Sequence, residues 1–372
     1  MGVLLFVMIG VIGAAFIIHS FMKKSSTEFN ESLDDVQSFL EINGGTHLSH
    51  LTFLNDKEVY RTLNNKVLIV FRKVGKKAIV LGDPIGKQEF IEQSIVEFQE
   101  FCEQKKLIPI FYQISERFMT HYRKAGYEFF KQGEEARIDL HEYTLVGKKG
   151  AKLRTRRNKF ERNGYQFHVS LPSHSKELIK EIEMISNSWL GRRKEKGYSV
   201  GFYCENYLSR FPIAYLTSPN GEVIAFASLA CDKQKQNRTI TVDLMRHSKD
   251  CPHGTMDMLF TSIFQWCKES GYDWCSLGMS PLANVGTNKD ATKFEKGAKL
   301  VFHHGNSFYQ FKGLLEFKNK FGPKWESRYL AYKQTFLPFL FIQLVFLIHK
   351  NNIKTEQPKP LWQKAIRRAR AS

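Results

Sequence analysis

Apolar residues recur along this chain in two rhythms, one of short continuous runs and one of helical spacing. Runs at 67–71 and 78–81 predict neighbouring strands joined by a Gly/Lys turn at 74–77. Gly82-Asp83-Pro84 then breaks the chain, and Phe90, Ile91, Ile95 and Phe98 give 88–102 the spacing of a helix. A strand is expected at 107–112 and a helix around 117–125. The second half repeats the theme. Leu178, Ile182, Ile185 and Trp189 mark a helix over 175–190, and strands follow at 223–230 and 239–245. Met256, Leu259, Phe260, Ile263 and Trp266 then line one face of a helix over 256–268, with a strand at 274–277. Strand–strand–helix–strand in both halves predicts two similar α/β units. Ahead of them, Phe29, Leu33, Val36, Phe39 and Leu40 punctuate a polar stretch over 25–42, so the folded body starts near Ser26.

Two segments depart from this pattern. Residues 3–18 carry no charge, and the apolar character runs on through Phe21 and Met22 to Lys23 and Lys24. About 20 residues is one helical crossing of a bilayer. A cleaved signal peptide carries positive charge before its apolar stretch, whereas the lysines here follow it. The positive-inside rule then puts the N-terminus outside and the rest in the cytoplasm, so a single-pass protein of the cell membrane is expected. The second segment, 336–348, contains Pro338 and Gln343 and is too short to cross comfortably. Behind it Lys350, Lys354, Lys359, Lys364, Arg367, Arg368 and Arg370 face only Glu356. This end reads equally as an interfacial element on an anionic leaflet or as a core helix with a solvated tail.

Length and charge narrow the classes. A chain of 372 residues allows two or three domains, and 42% hydrophobic with 25% charged residues excludes wholesale disorder. A polytopic membrane protein is excluded, because only one segment is apolar for long enough to cross. Subtracting 37 acidic from 55 basic residues leaves +18, which calls for an anionic partner, either nucleic acid or an acidic membrane. The run 148–162 holds eight basic residues, Arg154, Arg156 and Arg157 among them, against Glu161; a solvated helix face is the plainer reading. Six cysteines form no C-x-x-C pair and read as reduced thiols. Cys251 lies near His247 and His253, but the spacing matches no common structural zinc site, and no metal is expected.

The familiar catalytic templates are missing: no G-x-S-x-G, no P-loop, no G-x-G-x-x-G after a strand, no H-E-x-x-H. In an acetyl-CoA-dependent N-acyltransferase, a glycine-rich pyrophosphate loop would fall at Cys251-Pro252-His253-Gly254-Thr255-Met256. One glycine there argues against coenzyme A. What remains is polar chemistry in apolar surroundings. Asp243 sits in Val242-Asp243-Leu244-Met245-Arg246, where burial demands a partner, and Arg246 is the obvious one. Strict alternation would set the two on opposite faces, so a bulge or strand end is required; a purely structural ion pair is the other reading. The stretch from Phe308 to Trp325, ending in Arg328-Tyr329-Leu330, interleaves Tyr309, Lys320 and Trp325 with further lysines and aromatics. That suits a phosphodiester with stacked bases or a lipid headgroup, or else an amphipathic core element with solvated lysines.

Across residues 40 to 335 the sequence resembles the C-terminal catalytic domain of the phosphatidylglycerol lysyltransferases, also called multiple peptide resistance factors. The resemblance rests on Leu81-Gly82-Asp83-Pro84-Ile85-Gly86, Phe111-Tyr112-Gln113, Gly133-Glu134-Glu135-Ala136 and Ser186-Asn187-Ser188-Trp189-Leu190. It continues through Glu195-Lys196-Gly197-Tyr198-Ser199-Val200-Gly201, Asp243-Leu244-Met245-Arg246, Met256-Asp257, Leu277-Gly278-Met279-Ser280-Pro281-Leu282 and the block from Tyr309 to Tyr329. It implies an α/β (α+β) tandem of two N-acyltransferase-like (GNAT-type) folds, here at 26–168 and 169–335. An N-terminal transmembrane helix (1–24) precedes them, and an apolar segment with a basic tail (336–372) follows.

The resemblance further implies transfer of an amino acid, usually lysine and sometimes alanine, from aminoacyl-tRNA to phosphatidylglycerol. The product is a cationic lipid that lowers membrane negative charge and confers resistance to cationic antimicrobial peptides. It carries catalytic roles onto Asp243, Arg246 and Lys318, with tRNA as co-substrate and no other cofactor. Tyr309, Lys320, Trp325, Arg328, Arg154, Arg156 and Arg157 are expected to touch lipid or tRNA. The long flippase region typical of the family is replaced here by one anchor, so any flipping falls to a separate protein. Two rivals stand beside this expectation: a peptidoglycan-type tRNA-dependent aminoacyltransferase, and a non-catalytic anchored module for RNA or acidic lipid.

Overall fold

A computed structural model describes residues 31–231, 238–287, 292–304 and 311–349. The apolar segment 1–24, the basic tail from 350 and Tyr309 lie outside the described residues. In chain order the first half comprises α1 (Leu33–Asn43), β1 (Glu58–Thr62), β2 (Val67–Val74), β3 (Lys77–Leu81), β4 (Ile85–Gly86), α2 (Ile91–Gln104), β5 (Ile108–Ser115), α3 (Met119–Lys124) and β6 (Glu128–Asp139). Then come α4 (Gly147–Arg162), β7 (Gln166–Ser170), α5 (Lys176–Leu190), α6 (Glu205–Leu208), β8 (Ile213–Thr217), β9 (Val223–Cys231), β10 (Thr239–His247), α7 (Thr255–Glu269) and β11 (Trp274–Pro281). The chain continues through α8 (Lys293–His304), α9 (Phe311–Asn319), β12 (Lys324–Tyr332) and α10 (Leu337–His349). Every strand and helix expected from the apolar rhythm is present, and the fold is mixed α/β.

The strands join in one 12-stranded sheet, ordered β1-β2-β3-β5-β12-β6-β11-β10-β9-β8-β7, with β4 on β2. The last described strand, β12, thus lies between β5 and β6, while β6 reaches across to pair with β11. Residues 168 and 169, where the sequence reading divides the chain, both fall in β7.

Both faces of the sheet are covered, which is why β2 and β3 read as continuous apolar runs rather than alternating ones. One face packs against α1, the 49–54 turn, α5, α6 and α10, through Val36, Leu51, Ile182, Leu208 and Leu340. The other packs against α2 in the first half and against α4 and α7 in the second. Helix α5 shows how local sequence sets this. Ser175 caps it by accepting the Leu178 N–H, and Leu178, Ile179, Ile182 and Ile185 turn inward together. Full burial of Ile182 contributes roughly 2 kcal/mol. Among the described residues no helix is long and apolar enough to cross a membrane.

The feature that positions the site is a split in the sheet. Strands β10 and β11 pair in parallel only over Thr239–Thr241 and Trp274–Ser276. Beyond that, each strand is bulged against its other neighbour, β10 between Val242 and Met245 and β11 between Ser276 and Met279.

Candidate active site

Asp243 and Gly278 each stand two residues past the last rung joining β10 to β11, one on either bank of the split. The β10 bulge decides which way the side chains point. Ile240, Val242 and Met245 pack into the α4/α7 side, whereas Leu244 joins the opposite core. The Ser228 hydroxyl accepts the Leu244 N–H at 3.1 Å, holding the bulge. An extra residue in the strand therefore brings Asp243 and Arg246 onto the same face, the one beneath α5 and α6.

Sharing a face does not make them partners, and the expected Asp243–Arg246 pair is corrected here. Arg246, 3% exposed, donates to Glu195 Oε2 at 2.6 Å and to the carbonyl and hydroxyl of Ser186. Its guanidinium lies 4.9 Å from the Trp189 ring centroid. Nε of Arg246 has no hydrogen-bond partner among the described residues. Asp243 instead accepts from the Tyr207 hydroxyl at 2.6 Å and from Gly201 N at 3.3 Å. A Cβ at position 201 would collide with the Asp243 carboxylate, so glycine is what allows this approach.

The loop 191–204 therefore serves both residues, Glu195 for Arg246 and Gly201 for Asp243. It is clamped from outside: Tyr198 N donates to buried Asp56 at 3.0 Å, and the Tyr198 hydroxyl donates to the Ile79 carbonyl at 3.0 Å. Asp56 is itself paired with buried Lys57.

Sequence reasoning missed Tyr207 and His50. Because Tyr207 donates to Asp243, its oxygen accepts from His50 Nδ1 at 2.8 Å. Burial lowers the His50 pKa although Asp243 opposes it, so the imidazole is neutral, protonated on Nδ1 and open to accept on Nε2. His50 also lines a cleft shared with Thr46, His47, Phe53, Arg210 and Thr241. A hydrogen-bonded row thus links that cleft to Asp243. Tyr207 lies in the mixed polar stretch 205–210 and His50 in 46–54, and neither sits in a spacing pattern that would have found it.

On the other bank, Lys318 comes from the last turn of α9 on the far side of the sheet. Its ammonium donates to the carbonyls of Gly278 and Met279 at 2.9 and 3.0 Å. Burial drags its pKa down to about 7, with Glu135 pulling the other way. Glu135 is fully buried and takes hydrogen bonds from Ser276 and Arg328, with His47 at 3.4 Å. Burial opposes its charge, yet His47, Arg328 and Ser276 hold the carboxyl down at about 2. Burial pushes His47 itself to about 3.

The residues expected to touch lipid or tRNA are placed unevenly. Arg328 is buried against Glu135, inside the sheet. Arg156 and Lys320 both pair with Asp257 in the first turn of α7. Arg154 donates to the Leu145 carbonyl, Arg157 pairs with Glu161, and Trp325 Nε1 donates to Asn319 at 3.0 Å. The exposed cations of α4 are Lys148, Lys149, Lys152, Lys159 and Arg162. The start of α7, where a coenzyme A pyrophosphate would rest, is occupied. Arg156 and Phe160 side chains stand within 3.6 Å of a Cβ built on Gly254, and both cations at this turn, Arg156 and Lys320, are already taken up by the buried Asp257 carboxylate. Among the described residues no group of three or more His, Cys, Asp or Glu is arranged to hold a metal.

Comparison with known proteins bears on this site. A solved structure of L-PGS from Bacillus licheniformis superposes with a TM-score of 0.78 at 42% identity, covering 88% of this chain and 100% of that one. A FemX structure, at 9% identity and a TM-score of 0.55, shares the fold alone. Phosphatidylglycerol lysyltransferase of Bacillus subtilis is 44% identical over 297 residues, which are 80% of this chain and 34% of that protein. The chain thus spans about a third of the length of such relatives. The family described as phosphatidylglycerol lysyltransferase, C-terminal, matches residues 37–332, and the chain belongs to it.

Proposed function

We propose that the protein is an aminoacyltransferase that moves lysine from lysyl-tRNA to phosphatidylglycerol. The observation that carries this reading is the split between β10 and β11, with Asp243 and Arg246 on one bank and the Lys318 ammonium bound to the other. An aminoacyl-tRNA ester is already activated, so a glycerol hydroxyl of the lipid can attack it directly. The new C–O bond forms to the lipid oxygen, the ester bond to the tRNA ribose breaks, and the hydroxyl proton ends on the ribose oxygen that leaves. Asp243 orients the hydroxyl and relays its proton. Arg246, through its unpartnered Nε, and Lys318 stabilise charge on the phosphate and on the tetrahedral oxyanion. The exposed cations of α4 draw in tRNA.

In this reading residues 3–22 form one transmembrane helix that holds a cytoplasmic tandem of N-acyltransferase-like units against the inner leaflet. The lysyl-lipid lowers surface negative charge and so weakens cationic antimicrobial peptides. Lipid mass spectrometry of cells with and without the protein tests the assignment. Lysyl-phosphatidylglycerol that appears only with the protein supports it. Unchanged lipids, with the amino acid carried instead on a cell-wall precursor, would reassign the acceptor.

A further inference from the structure

Helix α10 inverts the pattern of a surface helix. Leu337, Leu340, Leu344 and Leu347 face the core, and so does its one uncharged polar residue, Gln343. The opposite side is apolar too: Phe339 and Val345 are 39% and 55% exposed, Phe336 just ahead of the helix is 70% exposed, and Ile342 and Phe346 are half-buried. At about 1.5 Å per residue its 13 residues span ~20 Å, short of the ~30 Å bilayer core, so the helix suits the plane of a membrane rather than a crossing.

Positive charge rims it. The β2–β3 turn brings exposed Lys76 alongside, and Lys77, whose side chain is largely covered, lies with its ammonium 5.2 Å from the Phe339 ring centroid. At the far end Gly197 N donates to the Ile348 carbonyl at 2.9 Å, which ties the neighbouring loop, carrying exposed Arg192 and Lys194 and half-buried Lys196, to the last turn. We propose that the outer face of α10 with this rim docks on an anionic phospholipid bilayer, and that docking steadies the 191–204 loop behind Asp243 and Arg246. A second copy of the chain would set like charge against like, and the uncharged segment 3–18 would leave the rim unanswered. The inference rests on the lipid-directed reading above in its functional arm only.

The test uses the full chain with Val345→Trp, and Ile42→Trp as a control at an exposed position on α1. Each is mixed with phosphatidylglycerol vesicles containing bromine-labelled acyl chains, and fluorescence quenching is read as the increment over the parent chain. Quenching at 345, absent at 42 and absent with phosphatidylcholine vesicles, is expected. No increment at 345, equal quenching at both positions, or emission at 345 already blue-shifted without vesicles and unmoved by them would overturn the proposal; the last would mean cover by segment 3–18 or a second copy. Val345→Asp should lower lysyl transfer to vesicle lipid about ten-fold while leaving transfer in detergent-mixed micelles within about two-fold. Equal loss in both media would contradict docking. A parent chain inactive in both media would sink the catalytic reading, and the quenching would still decide the docking.

Discussion

Arg246 and Asp243 each depend on neighbours that hold them in the split, so single-residue changes separate chemistry from folding. Arg246→Ala removes the guanidinium donors and is expected to slow lipid aminoacylation by about 100-fold, roughly 3 kcal/mol, in a protein that stays folded. Steady-state transfer alongside thermal unfolding checks it, and normal turnover in a folded variant would contradict the assignment. Gly201→Ala pushes a methyl group into the Asp243 carboxylate; about ten-fold slower transfer is expected, read from the same assay. Lys318 titrates where activity can report it. With its pKa lowered to about 7, the ammonium is present below that pH and lost above it, so transfer that uses the charge falls as pH rises through 7. Lys318→Arg stays charged throughout, and its pH profile should lack that limb. Stability runs the opposite way. Between about 7 and 10.5 the unfolded chain binds the extra proton, so the Lys318 contribution rises with pH across that window and is flat on either side.

The elements differ in how openly the sequence declares them. Strands β2, β3, β9 and β10 and helices α2, α5 and α7 follow directly from apolar spacing, because each of these strands is buried on both faces and each of these helices packs one apolar face against the sheet. The central strands β6 and β12 do not, since Glu134, Glu135, Arg137, Lys324, Glu326 and Arg328 interrupt their runs. Those charges cancel in pairs across the sheet, Arg328 on Glu135 and Arg137 on Glu326, a match that only the inserted strand order makes. The site was legible to the same degree. Asp243 and Arg246 stand out as charges in an apolar strand, and the required bulge is present. Their partners, Tyr207, His50, Glu195 and Gly201, come from elements remote in sequence. Arg328 carries an expectation at this scale: Arg328→Ala strands a buried carboxylate. It should cost about 3–5 kcal/mol of stability, seen as a lower unfolding midpoint that added salt does not restore.

For the whole molecule, the proposed function asks a charge of +18 to serve both a membrane and a polyanionic co-substrate. If the segment 3–22 only concentrates the enzyme at the leaflet, a chain lacking residues 1–24 should still modify phosphatidylglycerol in liposomes while working less efficiently in cells. The tail from 350, with seven Lys or Arg against one Glu, should partly compensate. Losing both should cost more than losing either, and the tail's share should shrink as salt rises. Vesicle-binding titrations across ionic strength measure that share.

The most direct measurement supplies purified protein with labelled lysyl-tRNA and phosphatidylglycerol vesicles, without coenzyme A, ATP or added metal, and follows label into lipid. The parent chain is compared with Asp243→Asn at matched unfolding midpoints. The expected result is labelled lipid from the parent, formation about 100-fold slower with Asp243→Asn, and no label held covalently on the protein. Equal rates from a folded Asp243→Asn protein, or no labelled lipid from the parent, would contradict the account.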